Sequence, residues 1–281
     1  MDAVRWADGE RPRLDRPVVI AAFEGWNDAG DAATLAAGWL ASRWARDPLA
    51  EIDPEEFFDF TSNRPRVQLD DDGIRSIEWP ANTFTAGTEG GIHAVVLVGS
   101  EPQLRWRSFC RQVIGVAEAF DARLVLTLGA LLAEVPHSRP TSVVGTATDE
   151  AVMARLDLAR SSYEGPTGIV GVLADACAHA GLASASLWAT VPAYVPGAPS
   201  PKAALALVER SAELLGVPIV ATDLEIAAAA YERQVSEVVS DDEDMVGYVE
   251  RLEESFDGDE AVGSASLADE VERFLRERPP G

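Results

Sequence analysis

Four apolar runs constrain the fold of this chain more than any other feature. PVVIAAFE (17–24), HAVVLVGS (93–100), RLVLTLGALL (123–132) and ASLWATVP (185–192) are apolar nearly throughout, not at alternate positions. Strands of that kind are buried on both faces, the property of a parallel sheet covered by helices. Helical patterns lie between them. From Asp28 to about Ala45 the residues Ala32, Leu35, Ala36, Trp39, Leu40 and Trp44 recur at helical spacing. Pro102 to about Phe120 places Trp106, Phe109, Val113, Val116 and Ala117 on one face. Pro201 to Gly216 is opened by a proline and stopped by a glycine. Strands alternating with helices predict a three-layer α/β domain with a mostly parallel central sheet over residues 15–222.

The remaining segments divide by character. Residues 1–14 read as a polar N-terminal segment. FFDF (57–60), RPRVQL (64–69), IRSIEW (74–79) and NTFTA (82–86) read as short strands, and GTEGG (87–91) as a flexible connection. SVVGTAT (142–148) and TGIVGVLA (167–174) are read as two more strands, with a helix over Asp149–Ala159 between them. Residues 223–281 form an acidic helical extension in which DLEIAAAAYERQVSEVV, YVERLEESFD and ASLADEVERFLRER are amphipathic and SDDEDM is a charge run. Between Glu237 and Glu260 eleven acidic residues stand against one arginine, a pattern of solvated faces and linkers.

Charge then excludes partners. With a net charge of −24 and basic residues too scattered to make a stripe, the chain is not suited to a phosphate backbone. No window approaches the ~18 uninterrupted apolar residues of a membrane span, and the start of the chain lacks an apolar signal region. A cytoplasmic, soluble protein is expected. Cys110 and Cys177 show neither CxxC nor zinc spacing and read as reduced, small apolar residues.

Phosphate-loop, dinucleotide-fold, nucleophile-elbow and HExxH signatures are absent. No residue is assigned a catalytic role, and neither a cofactor nor a metal site is expected. What remains are loops at strand ends, where ligands of doubly wound sheets bind. GWNDAG (25–30) offers the Asn27 amide and the Asp28 carboxylate; Asp28 is equally a helix N-cap. EVPHSRP (134–140) presents His137 and Arg139 between two prolines, an imidazole that titrates near neutrality beside an anion-holding guanidinium. Lys202, the sole lysine, stands in the first turn of a helix, where it opposes the dipole unless an anion lies nearby. Asn27, Asp28, His137, Arg139 and Lys202 are the candidate pocket residues.

At GWNDAG, PHSRP, YEGPTGIVGVL (163–173) and PSPKAA the chain resembles the PAC2 (proteasome assembly chaperone 2-like) family, in its actinobacterial branch. Arginine supplies 22 of the 23 basic residues, a high-GC bias that fits this branch. The resemblance implies a phosphorylase- or hydrolase-like α/β sandwich and homo-oligomers, trimers first. It also implies a chaperone or scaffold role without established chemistry, with proteasome subunits or another protein complex as partner. Such chaperones can dock through a C-terminal hydrophobic–Tyr–any tail, whereas this sequence ends Arg278-Pro279-Pro280-Gly281. The alternative is an enzyme or small-molecule binder whose phosphorylase-like pocket takes an anionic substrate group on Arg139 or Lys202, with His137 as general acid or base.

Overall fold

The run at 18–24 lies inside the sheet, and the surroundings of its side chains explain its lack of polar alternation. Val18, Ile20 and Ala22 enter one apolar core, and Val19, Ala21 and Phe23 enter another. The computed structural model describes residues 3–70, 73–161 and 163–260.

In chain order the strands of the first half are β1 (Val4–Trp6), β2 (Val18–Glu24), β3 (Asp47–Ile52), β4 (Arg66–Leu69), β5 (Arg75–Glu78), β6 (Asn82–Glu89) and β7 (Ile92–Ser100). The second half adds β8 (Leu124–Ala133), β9 (Val143–Ala147) and β10 (Ser184–Pro192). Helices α1 (Ala32–Trp44), α2 (Trp106–Ala119), α3 (Glu150–Leu156), α4 (Ile169–His179) and α5 (Pro201–Leu215) cover the sheet or connect its strands. A hairpin of α6 (Thr222–Ser240) and α7 (Glu243–Glu260) follows.

Eight strands form one sheet in the order β1-β3-β6-β7-β2-β8-β10-β9. The four apolar runs are its centre: β7, β2, β8 and β10 are mutually parallel. The flanks pair antiparallel, so the sheet is mixed around a parallel middle. Helices α1 and α5 lie against one face, where Ala32, Ala33, Ala36, Ala37, Ala203 and Ala204 are all buried. Such small side chains bring helices and sheet close together. On the other face α2 and α4 contribute Phe109, Cys110, Val113, Leu173 and Cys177 to the second core. Both thiols are free, and burial pushes each up to about 12.

Two expected strands are something else. Residues 167–174 open α4, where Ile169, Val170, Leu173 and Cys177 are buried at helical spacing. Periodicity cannot separate a short apolar run that is helical from one that is extended. FFDF follows a short 3-10 turn at Pro54–Glu56 and joins no ladder; Phe57 is buried edge-on against Phe109, centroids 5.4 Å apart. Its aromatic content reflects core packing, not strand pairing. In GTEGG, β6 continues to Glu89, and Gly90 and Gly91, both at positive φ, make a tight turn into β7. Two strands were missed. Asp47–Ile52 pairs with β6, and Val4–Trp6 adds the edge strand from within the segment read as polar. ASLADEVERFLRER lies outside the described residues.

Candidate functional site

The first loop is built by a reversal of the chain after β2. Gly25 has φ +127°, and Ala130 donates its N–H to the Asn27 carbonyl at 2.8 Å, stitching the turn to β8. Gly30 and Asp31 then take positive φ values of 57° and 51° through a 3-10 turn, and α1 starts at Ala32. Asp28 reaches across this turn. Its Oδ1 accepts from Ala33 N at 2.7 Å and Thr34 N at 3.3 Å, and its Oδ2 from the Thr34 hydroxyl. It therefore caps α1 from a full turn upstream of the helix start, not from the adjoining position. Burial raises its carboxyl from 3.8 to about 6, in spite of those hydrogen bonds and with Asp31 adding to the rise. Asp28 lines a shallow pocket of about 260 Å³ shared with Trp26, Gly30, Pro196 and Ala198. Asn27 is buried, and its Oδ1 has no hydrogen-bond partner.

The second loop follows β8, and its polar groups meet the helical extension. His137 donates its backbone N–H to the Tyr194 hydroxyl at 2.8 Å, and that hydroxyl lies 2.8 Å from Nδ1 of the same ring. Nε2 lies 2.9 Å from Ser236 Oγ, which donates to the Glu232 carbonyl. One proton arrangement satisfies the whole chain: Tyr194 donates to Nδ1, and the neutral imidazole donates from Nε2 to Ser236. Burial, followed by the neighbouring Lys202 charge, holds the imidazole below its usual 6.5, with Glu232 and Glu253 pulling the other way.

Arg139 forks onto Asp257 through Nε at 2.8 Å and Nη2 at 2.9 Å, and Glu253 lies 3.5 Å from its Nη1. The guanidinium hydrogen bond holds the Asp257 carboxyl below the usual carboxylate range. Ser138 donates to Glu253, while Lys202 donates to both Glu232 and the His137 carbonyl. The anion beside Lys202 thus comes from α6 of the same chain. Together these groups clasp α6 and α7 to the end of the sheet. A small core of Tyr231, Val235, Val239 and Val249 lies beside Tyr194 and Val195. At the other end Asp223 accepts from Trp39 Nε1 at 3.0 Å and Arg43 at 3.1 Å, tying the start of α6 to α1.

The five candidates therefore separate. His137, Arg139 and Lys202 share a crevice of about 10 Å³, too small for a substrate, and neither Asn27 nor Asp28 lines it. Sequence reasoning missed Tyr194, Glu232, Ser236, Glu253 and Asp257. The available signal was spacing: Glu232 and Ser236, and Glu253 and Asp257, are pairs four residues apart that share a helix face. Reading the acidic run as solvated obscured it.

The model of the PAC2 family matches residues 22–239. The chain belongs to the PAC2 family. A PAC2 family protein from Streptomyces avermitilis is 42% identical to it, over 83% of this chain and 99% of that one, with a TM-score of 0.76. A proteasome-assembly chaperone homologue from Mycobacterium tuberculosis matches at 42% identity with the same coverage and a TM-score of 0.74. A second M. tuberculosis protein, of unknown function, is 27% identical over 98% of this chain and 95% of its own, with a TM-score of 0.83. No curated protein matches the chain. Among the described residues of this PAC2 chain no helix is long and apolar enough to cross a membrane.

Proposed function

We propose that this PAC2 protein is a non-enzymatic assembly chaperone or scaffold of cytoplasmic protein complexes, acting as a homo-oligomer, with a trimer as the favoured state and proteasome subunits as the first candidate clients. The observation that carries this reading is the 42% identity, over 83% of the chain, to a protein described as a proteasome-assembly chaperone homologue. The clasp supports it: His137, Arg139 and Lys202, the most chemistry-like side chains, hold the chain's own helices.

The self-association surface in this reading is the β4–β5 hairpin, which pairs with no other strand of the described chain. Val67 and Ile77 are cross-strand partners, Leu69 lies two residues from Val67, and all three share one face. Each is more than half exposed. An isolated two-stranded hairpin is marginal in water, and a second copy covering this face would stabilise it.

Purified proteasome α subunits mixed with this protein, followed by native gels and light scattering, test the function. The expected result is a discrete complex and faster ring formation, with the free protein running at about three times its 30.0 kDa chain mass. Unchanged ring assembly together with a monomeric free protein would sink the reading.

A further inference from the structure

A second cavity, of about 210 Å³, opens between β9, β10 and the first turns of α4. The clasp does not use it. Its floor is one face of the sheet, where Val144 and Thr146 of β9 stand opposite Trp188 and Ser186 of β10. Trp188 leans over Gly129 of β8, where a Cβ would come within 2.5 Å of the indole. Trp26 and Tyr163 add two more aromatic walls. From α4 the cavity is lined by Gly171 and Ala174, three residues apart on one face and both small. A Cβ at Gly171 would come within 2.1 Å of the Thr167 hydroxyl oxygen, so the glycine leaves that threonine its place at the rim.

The polar groups on the walls sort into engaged and available. The Ser186 hydroxyl is held by Thr127 at 2.7 Å, the Tyr163 hydroxyl donates to the Pro166 carbonyl at 2.8 Å, and Ser161 Oγ accepts from Tyr163 N at 3.2 Å. The side-chain oxygen of Asn27 is sealed against the Gly168 backbone, out of reach of an occupant. Available are the hydroxyls of Thr146, Thr148 and Thr167, which have no hydrogen-bond partner among the described residues, and the guanidinium of Arg160. Arg160 follows Ala159, which bridges Thr146, so it runs alongside the end of β9 that leads to Thr148. Among the described residues it pairs only with Glu150, at 4.0 Å, and the two side chains are 59% and 91% exposed. Water competes with so loose a pair, and the guanidinium keeps donors to spare. Arg160 is also the one ionised group among the described wall residues, so a cation is repelled there and a single negative charge is matched. The start of α4 is already occupied by Glu101, whose Oε1 accepts from Ile169 N at 2.8 Å, and that carboxylate turns an anion away from the helix and towards Arg160. We propose that this cavity binds a small aromatic monocarboxylate, one or two rings in size, with its rings among Trp26, Tyr163 and Trp188 and its carboxylate on Arg160, aided by the hydroxyls of Thr146 and Thr148. This site differs in place from an anion pocket at Arg139 or Lys202, and it is independent of the assembly reading.

Benzoate, benzamide and acetate are suitable probes: the first two share a ring and a shape but differ in charge, and acetate carries the charge without the ring. Titrating each into the isotope-labelled full chain and following amide shifts by NMR gives both affinity and location. Benzoate is expected to perturb residues around Thr146, Arg160 and Trp188 and to bind about tenfold more tightly than either of the others. Equal affinities for benzoate and benzamide, acetate binding as tightly as benzoate, no binding of any probe, or shifts elsewhere would overturn the proposal, and this comparison needs no variant. Arg160→Gln changes an exposed side chain, so the melting temperature should hold while the benzoate and benzamide affinities come together. Arg155→Gln, which removes a charge on α3 outside the walls, should keep the preference. A preference that survives Arg160→Gln, or that Arg155→Gln removes equally, would show that the carboxylate is not held by Arg160. Ala174→Phe, which fills the cavity from α4, is expected to abolish benzoate binding with the far-UV circular dichroism unchanged. If folded Ala174→Phe binds benzoate as the wild type does, the ring lies outside this cavity and the assignment is wrong.

Discussion

Asp28 shows how one side chain can be both a cap and an ionisable liability. Its carboxylate serves Ala33 and Thr34, yet burial holds its proton up to about pH 6 instead of 3.8. Because the folded state binds that proton more tightly than the unfolded state, Asp28 contributes most below pH 4 and loses that contribution as pH rises through 6. Asp28→Asn keeps an acceptor and removes the charge. Its stability relative to wild type should therefore grow between pH 4 and 7, by on the order of 2 kcal/mol, and level off above. Thermal melts of both proteins across that range check this, and a difference independent of pH would refute it. Gly99 is constrained by contact and not by φ: a Cβ there would meet Asn82 Oδ1 at 2.2 Å and the Ala81 carbonyl at 2.5 Å. Gly99→Ala must push β6 away from β7 and should cost about 1–3 kcal/mol in urea unfolding.

The α6–α7 hairpin is where charge and packing act together. Arg139→Ala removes the fork to Asp257 and the nearby Glu253 charge, and Lys202→Met strands Glu232 and the His137 carbonyl. Each should weaken docking of the hairpin by about 1–2 kcal/mol, since the pairs are only partly shielded from water. Hydrogen exchange should show faster exchange in α6 and α7 with β2 and β8 unchanged; uniform loss across the sheet would mean that the clasp stabilises the whole domain. His137 adds a pH dependence of defined sign. Its imidazole is held below 6.5, so its contribution is complete above that pH and is lost as pH falls towards the lowered value. Protonation would put a second N–H against the Tyr194 hydroxyl, which already accepts from the His137 backbone. Exchange in α6 and α7 should accelerate between pH 7 and 5 after correction for intrinsic rates, and His137→Gln should flatten that change.

At the scale of the molecule, the exposed β4–β5 hairpin and the acidic helical hairpin leave the two most distinctive surfaces. Leu69→Glu and Ile77→Glu change only exposed side chains and should leave the melting temperature within a few degrees of wild type. In the assembly reading they convert the oligomer to monomer in light scattering, because each withdraws about 1–3 kcal/mol of apolar burial per copy. An unchanged oligomer would move self-association to another face. The net charge of −24 sets the background, because copies of the chain repel one another until apolar contact outweighs that repulsion.

The layers follow from local pattern alone. Runs such as VVIAAFE and LVLTLGALLA can be solvated on neither face, so the parallel middle of the sheet and its helical cover were legible without coordinates. The helix termini at Ser200–Pro201 and Gly216 were equally local. Local signals failed where the decision came from a distant partner. TGIVGVLA is helical because Glu101, far away in sequence, caps it and because the space over the second core is a helix's, not a strand's. The site failed to read for the same reason. His137, Arg139 and Lys202 carry the residue types of a reactive pocket, and only the return of α6 and α7 across the sheet end turned them into a clasp. Asn27 looked like turn punctuation until the backbone of Gly168, just before α4, packed against its side-chain carbonyl, which is buried and unpaired. Periodicity reports which face of an element is dry; which polar atoms meet there is settled by long-range packing alone.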